Sequence, residues 1–151
     1  MRDGTHANRT VRDVTKVGQQ ELWFEPGDDF IYVIQNGIVN AAEATEVTAI
    51  WDKYRKQNGG VCFVLADHRN ATGVTAEARS IFVHSEAVRS GFHLAAYGQP
   101  FVLRAIGNLV VKGMQMAAQT SVAYAAVADK DTAYAWLRAQ KAAHIARSAP
   151  A

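Results

Sequence analysis

The neighbours Asp67, His68 and Arg69 are the residues of this sequence whose side chains are best suited to chemistry. An aspartate beside a histidine can form a pair for proton transfer, because histidine titrates near neutral pH. Neighbouring side chains on an extended segment, however, point to opposite sides, and no serine of a Gly-x-Ser-x-Gly turn accompanies the pair. We therefore predict no catalytic residue and favour a loop-shaping surface role. A hydrolase that uses Asp67 and His68 is the alternative.

Two threonines follow this cluster. Thr72 precedes Gly73, and Thr75 stands where a helix is predicted to begin. A phosphate on such a hydroxyl places negative charge near a helix N-terminus, where the helix dipole favours it. The simpler interpretations are an N-cap for Thr75 and a turn residue for Thr72. Both residues stand as candidate phospho-acceptors.

Residues that bind metals or nucleotides do not form a recognisable site in this sequence. No two histidines stand in a His-x-x-x-His pair, and no glutamate has metalloprotease spacing. The single cysteine, Cys62, lies in an apolar run, where we expect a buried and unreactive thiol. Neither Gly-x-Gly-x-x-Gly nor the Walker pattern occurs. We predict no metal site and no cofactor.

Apolar strands alternate with helices along the chain. The predicted strands cover residues 21–25, 30–34, 61–66, 92–97 and 121–127, and the predicted helices begin near Asn40, Thr75, Pro100 and Asp129. Asn40 and Glu43 have the spacing of a capping box, and residues 67–74 are predicted as a polar loop. The order predicts an α/β fold, at the border with α+β. It has an N-terminal β-hairpin, a mixed, mostly parallel sheet of about five strands, and four helices.

The third predicted helix has more apolar residues than one inner face requires. They are Leu103, Leu109, Val110, Val111, Met114 and Met116, and its only charges are Arg104 and Lys112. Such a helix is either covered on both sides, here by the C-terminal helix, or exposed at an interface. For the interface alternative we predict Leu103, Arg104, Val111 and Met114 as contact residues, in a homodimer or with a docked partner. An apolar pocket for a lipid is a third alternative.

Three stretches give the chain a resemblance to a known family over about residues 21–140. They are Val64-Leu65-Ala66-Asp67, the run Leu94-Ala95-Ala96-Tyr97-Gly98 followed by Arg104-Ala105-Ile106-Gly107-Asn108, and Asp131-Thr132-Ala133-Tyr134-Ala135-Trp136-Leu137. Together with the element order, they resemble the STAS family, which includes anti-sigma-factor antagonists and cytoplasmic domains of sulfate transporters. Phosphorylatable members carry an Asp-Ser-Ser-Gly-type motif after the third strand. This chain has no serine pair there, only Thr72 before Gly73 and then Thr75.

The resemblance implies a non-enzymatic module of bacterial signalling. Its partner would be a kinase or an anti-sigma-type regulator, docked on the loop of Asp67, His68, Arg69 and Asn70 and on the third helix. Loops at the carboxyl ends of strands are the usual binding places in open α/β sheets. The alternative function is a small-molecule or lipid-binding carrier.

Composition limits the remaining functions. The chain has 151 residues, 49% hydrophobic and 20% charged, as expected for one globular domain. Residues 1–16 hold four basic and two acidic residues, so the whole net charge of +2 falls there. A broad nucleic-acid-binding face is therefore disfavoured.

We predict a flexible tail over residues 1–19, whose end can pair weakly, and a STAS-like domain over 20–147. Without a predicted signal peptide or membrane span, we expect a cytoplasmic protein.

Overall fold

The computed structural model describes residues 13–25, 29–117 and 122–148. Within them six strands form one sheet in chain order. These are β1 (Thr15–Val17), β2 (Gln20–Glu25), β3 (Phe30–Val39), β4 (Cys62–Val74), β5 (Phe92–Tyr97) and β6 (Val122–Val127). Strands β1 to β3 pair antiparallel, and β3 to β6 pair parallel. Each parallel pair is joined by helical crossovers, as parallel pairing requires.

Five helices cover the two faces of the sheet. They are α1 (Ala41–Gln57), α2 (Ala76–His84), α3 (Glu86–Arg89), α4 (Phe101–Ala117) and α5 (Lys130–Ser148). Val64 and Ala66 pack into one hydrophobic cluster with residues of α1 to α4. Phe63 and Leu65 pack into a second cluster with residues of α5. Because alternate strand residues point to opposite faces, α5 lies on the face of the sheet away from α1 to α4.

The predicted α/β fold with a mostly parallel sheet is confirmed, and β2 and β3 pair antiparallel as the predicted hairpin requires. The extra strand, β1, comes from the segment assigned to the tail, and Val17 at its end is buried. Its turn passes through Gly18, which has a φ of +58° and would carry a Cβ only 2.7 Å from the Glu43 carboxylate. Residues 1–12, the rest of the predicted tail, lie outside the described residues.

The start of α1 follows the predicted capping box. The Asn40 side chain accepts a hydrogen bond from the Glu43 amide at 2.9 Å, and the Glu43 carboxylate accepts one from the Asn40 amide at 3.4 Å. The same carboxylate also accepts a hydrogen bond from the Gln20 side-chain amide at 2.8 Å. This buried glutamate therefore ties the N-terminal hairpin to the first helix.

Two local predictions were wrong. Residues 67–74 are not a loop: β4 runs on to Val74, because β3 itself continues to Val39 and offers backbone partners beyond Ile34. Register shifts on β3, between Ile34 and Asn36 and again between Gly37 and Ile38, accommodate the irregular pairing. The second helix, predicted to run from near Thr75 to about Arg89, is interrupted at Ser85, whose ψ of 146° is extended, so that α2 and α3 replace one helix.

Candidate functional site

Asp67 and His68 lie on opposite faces of the sheet, as neighbouring strand residues must. Asp67 lines a cavity of about 160 Å³ that also touches Lys130 of α5. His68 lines a separate apolar cavity of about 110 Å³ beneath α4. The two side chains therefore do not form a proton-transfer pair.

On the α5 face, Asp67 forms the centre of a polar cluster. Asp67 is 6% exposed, and its carboxylate accepts three side-chain hydrogen bonds from Arg69: Nη2 donates to Oδ2 at 2.7 Å, and Nε donates to Oδ1 at 3.0 Å and to Oδ2 at 3.2 Å. The Arg69 backbone amide donates a fourth to Oδ1, at 3.0 Å. Burial raises the pKa of the Asp67 carboxyl, but the hydrogen bonds from Arg69 and from the Tyr97 hydroxyl outweigh it, so the pKa lies below its ordinary value. At neutral pH this group is a structural carboxylate, not a base.

The Asp67 cluster holds Arg69 beside the carboxyl end of β5, where β4 continues past its pairing with β5. The guanidinium lies 5.8 Å from the centre of the Tyr97 ring, within cation–π range. Gly98 has a φ of +77°, and a Cβ there would overlap the Arg69 side chain. Arg69 remains 67% exposed, and Asn70 is exposed beside it. Of the four predicted partner-binding residues, these two are available to a partner, whereas Asp67 is buried.

His68 has a different environment. Its ring is half-buried, and no hydrogen-bond partner for it is found among the described residues. Burial lowers the pKa of His68 from 6.5 to about 4, with the Asp67 charge opposing the change. The imidazole is therefore neutral at pH 7, and it faces a cavity whose wall is mostly aliphatic and aromatic.

The two candidate phospho-acceptors also differ. Thr75 is the N-cap of α2, and its hydroxyl oxygen accepts a hydrogen bond from the Ala78 amide at 3.1 Å. Thr72 is exposed. Phosphorylation of either residue stays a prediction, which mass spectrometry of the protein from its own cells would test.

Replacing Thr75 with alanine is expected to cost about 1 kcal/mol of unfolding free energy, because α2 loses its side-chain cap. Denaturant unfolding followed by circular dichroism measures the change. Thr72→Ala is the matched control, with an expected change within about 0.5 kcal/mol. Equal losses in the two variants would contradict the capping role.

Helix α4 separates its apolar residues between an inner and an outer face. Val111 and Met114, two of the predicted interface residues, are only 7% and 3% exposed and pack into the core, while Leu103 lines the apolar cavity. Only Arg104 of that set is exposed. The large apolar side chains on the outside are instead Phe101, Leu109 and Met116, at 85%, 71% and 88% exposure. The alternative that α5 covers this helix is wrong, because α5 lies across the sheet.

Neither a metal site nor a membrane-spanning helix is found in the described part of the chain. No group of three or more His, Cys, Asp or Glu side chains comes together there as a metal site would require. None of the helices in the same ranges is long and apolar enough to cross a membrane.

Cys62 is buried, and burial raises the pKa of its thiol to about 12, as expected for an unreactive cysteine.

Solved structures resemble this one over most of its length. An uncharacterised protein of the DUF3478 family from Shewanella loihica, described as having a SpoIIAA-like fold, matches with a TM-score of 0.52 and 14% identity. The match covers 78% of this chain and 93% of that one. The anti-sigma factor antagonist SpoIIAA, in its unphosphorylated form, matches with a TM-score of 0.53 and 10% identity, over 79% of this chain and 97% of that one. No family model and no curated protein matches the sequence. At these identities the likeness shows the fold, which is SpoIIAA-like and therefore STAS-like.

Proposed function

We propose that this STAS-like chain is a non-enzymatic regulatory module that binds a protein partner through the outer side of α4. The fold supports a regulatory role, because one structure that shares it is described as an anti-sigma factor antagonist. The observation that carries the proposal is the exposed apolar surface of α4. We call this surface the outer α4 face and define it by Phe101, Arg104, Leu109, Lys112 and Met116.

The outer α4 face is a continuous row and not a scatter of single side chains. Leu109, Lys112 and Met116 are separated by steps of three and four residues, and Phe101 stands eight residues before Leu109, so these four share one side of the helix, with Arg104 at its edge. The three large apolar side chains are each more than two-thirds exposed. Single exposed hydrophobic residues are common on soluble proteins, but a row of this kind marks an interaction surface. Aromatic and methionine side chains are also enriched at interfaces.

Charge on the outer α4 face favours a separate partner over a second copy of the chain. Arg104 and Lys112 are its charges, and α4 contains no acidic residue. A symmetric contact between two copies places the same surface on both sides and brings these cations together. A partner that surrounds an apolar patch with carboxylates complements them. We propose a cytoplasmic kinase or anti-sigma-type regulator of that character, with self-association as the competing outcome.

The predicted partner-binding residues lie at the same end of the sheet as the start of α4. Arg69 packs against Gly98, and Phe101 follows three residues later as the first residue of the helix. A partner seated on the outer α4 face can therefore also reach Arg69 and Asn70. These two residues extend the proposed surface toward the carboxyl ends of the strands.

Site-specific crosslinking followed by affinity measurement tests this proposal. A photo-crosslinking amino acid in place of Leu109 is expected to capture one partner protein, whereas the same amino acid in place of Ile145, which is 57% exposed on α5, captures none. The captured protein is then purified and titrated against the wild type and the Phe101→Ala, Leu109→Ala, Met116→Ala triple variant. We expect binding at least about tenfold weaker for the triple variant, because interface anchors dominate affinity.

Ile145→Ala is the matched control, since it removes an exposed apolar side chain on the other side of the sheet and is expected to leave the affinity unchanged. Equal affinity of the triple variant and the wild type would overturn the proposal. Crosslinking at position 109 only to a second copy, with a dimer in sedimentation, would replace the separate partner with self-association.

A further inference from the structure

A cavity of about 110 Å³ lies between the sheet and helices α1, α2 and α4. The inner face of α4 forms one wall through Leu103, Ile106 and Val110, and Val64 and Leu94 belong to the sheet side. An engineered apolar cavity of about 150 Å³ in another protein binds benzene. A space slightly smaller than that has room for one aromatic ring or a short branched chain, and not for a lipid acyl chain.

No residue that lines this cavity is charged. Its polar members are Gln20, Gln35, His68 and Tyr124, and Trp51, which carries an indole N–H, also lines it. Three of these have partners: Gln20 and Gln35 donate to Asn36 and Gly73 carbonyls at 3.0 and 3.2 Å, and the Tyr124 hydroxyl accepts from Gln99 at 3.4 Å. The cavity wall therefore has no charged group that could offset the desolvation of an ionic ligand.

Two polar groups at the cavity have no partner among the described residues. Trp51 is only 6% exposed, and its Nε1 lacks a hydrogen-bond acceptor. The two ring nitrogens of His68 likewise have no hydrogen-bond donor or acceptor as a partner there. A buried N–H without an acceptor costs about 1–3 kcal/mol, so native structures usually satisfy it with protein, water or ligand. An occupant that carries one oxygen atom would satisfy it here.

We propose that this cavity binds a neutral, mainly apolar molecule about the size of one aromatic ring, whose hydroxyl or carbonyl oxygen bonds to Trp51 or His68. The apolar wall contributes most of the affinity, and the two nitrogens select for the single oxygen. This ligand site is independent of the proposed partner surface, because it uses the inner side of α4.

Nuclear magnetic resonance of the whole ¹⁵N-labelled chain tests the proposal with three probes: phenol, benzene and benzoate. We expect phenol to shift the Trp51 indole N–H signal saturably, with a dissociation constant of about 1 mM or tighter. Benzene is expected to bind more weakly, by about three- to tenfold, because it lacks the oxygen. Benzoate at pH 7 is expected not to bind, since its carboxylate cannot be desolvated in this wall.

Three variants assign the signal and the selectivity. Trp51→Phe removes the indole N–H and identifies its resonance, and His68→Leu removes the second nitrogen. In at least one of these variants, the preference for phenol over benzene is expected to fall to within about twofold. Trp136→Phe on α5 is the matched control and is expected to keep the wild-type preference.

Several outcomes would overturn the proposal. These are the absence of saturable shifts with phenol and benzene, shifts confined to residues of the α5 face, and binding of benzoate as tight as that of phenol. Equal affinity for phenol and benzene in the wild type would overturn the role of the two nitrogens. Because these titrations contain no partner protein, their result does not depend on the partner-binding proposal.

Discussion

Replacing Phe92 with alanine is expected to lower the free energy of unfolding by about 3–5 kcal/mol, the range for a fully buried aromatic side chain. Phe92 is the first residue of β5 and is completely buried. Its ring centre lies 4.9 Å from that of Trp51, which in turn lies 5.4 Å from that of Phe82 on α2. The substitution removes contacts that join the sheet to two helices, and a rigid core cannot collapse fully around the gap.

Phe101→Ala is the control for this prediction, because it makes the same chemical change on the outer α4 face. Phe101 is 85% exposed, so we expect its loss to change the unfolding free energy by no more than about 0.5 kcal/mol. Urea unfolding followed by circular dichroism measures both variants. Equal destabilisation by the two substitutions would show that Phe101 is covered within the folded chain, and would remove the basis of the proposed partner surface.

The titration of His68 alone is expected to lower the free energy of unfolding by about 2–3 kcal/mol as the pH decreases from about 6.5 to about 4. The pKa of His68 is lowered from 6.5 to about 4 by burial, against the opposing charge of Asp67. Between these values the unfolded chain binds a proton that the folded chain does not, so acid favours the unfolded state. Each pKa unit is worth 1.36 kcal/mol, and the half-buried position of the ring keeps the effect below the full value.

Urea unfolding at half-unit pH steps, on the wild type and on His68→Leu, isolates this contribution. The readout is the slope of stability against pH, which the variant is expected to flatten by the stated amount. His93, whose pKa burial also lowers, contributes with the same sign and is retained in both proteins. Parallel slopes for the wild type and His68→Leu would contradict the prediction.

The order of strands and helices could be predicted because it depends on local patterns. The apolar run of residues 61–66 and the capping box of Asn40 and Glu43 are visible in the sequence and are found in the structure. The extension of β4 through residues 67–74 could not be predicted from that polar stretch. It depends on backbone pairing with β3, some 30 residues earlier in the chain, and backbone groups pair whatever their side chains.

The candidate site was only partly predictable for the same reason. Arg69 and Asn70 were predicted by residue type and are exposed, and their partner-binding role stays a prediction. The part of Tyr97 in holding Asp67 was missed, because Tyr97 ends an apolar strand run. On α4 the apolar excess was recognised, while Val111 and Met114 were assigned to the wrong side. At the period of an α-helix, Val111 and Met114 fall on the same face as Leu103 and Val110. This spacing is the feature of the sequence that could have placed Val111 and Met114 on the inner side.

The two-sided character of α4 has a thermodynamic consequence. One helix, about 10 Å across, separates the apolar cavity from the outer α4 face. If a small molecule in the cavity shifts α4 and so changes the affinity for a partner on its other side, the two binding events are coupled. The coupling is then reciprocal: the partner changes the affinity for the small molecule by the same factor. Under that condition, the concentration of the small molecule would set the strength of the protein complex.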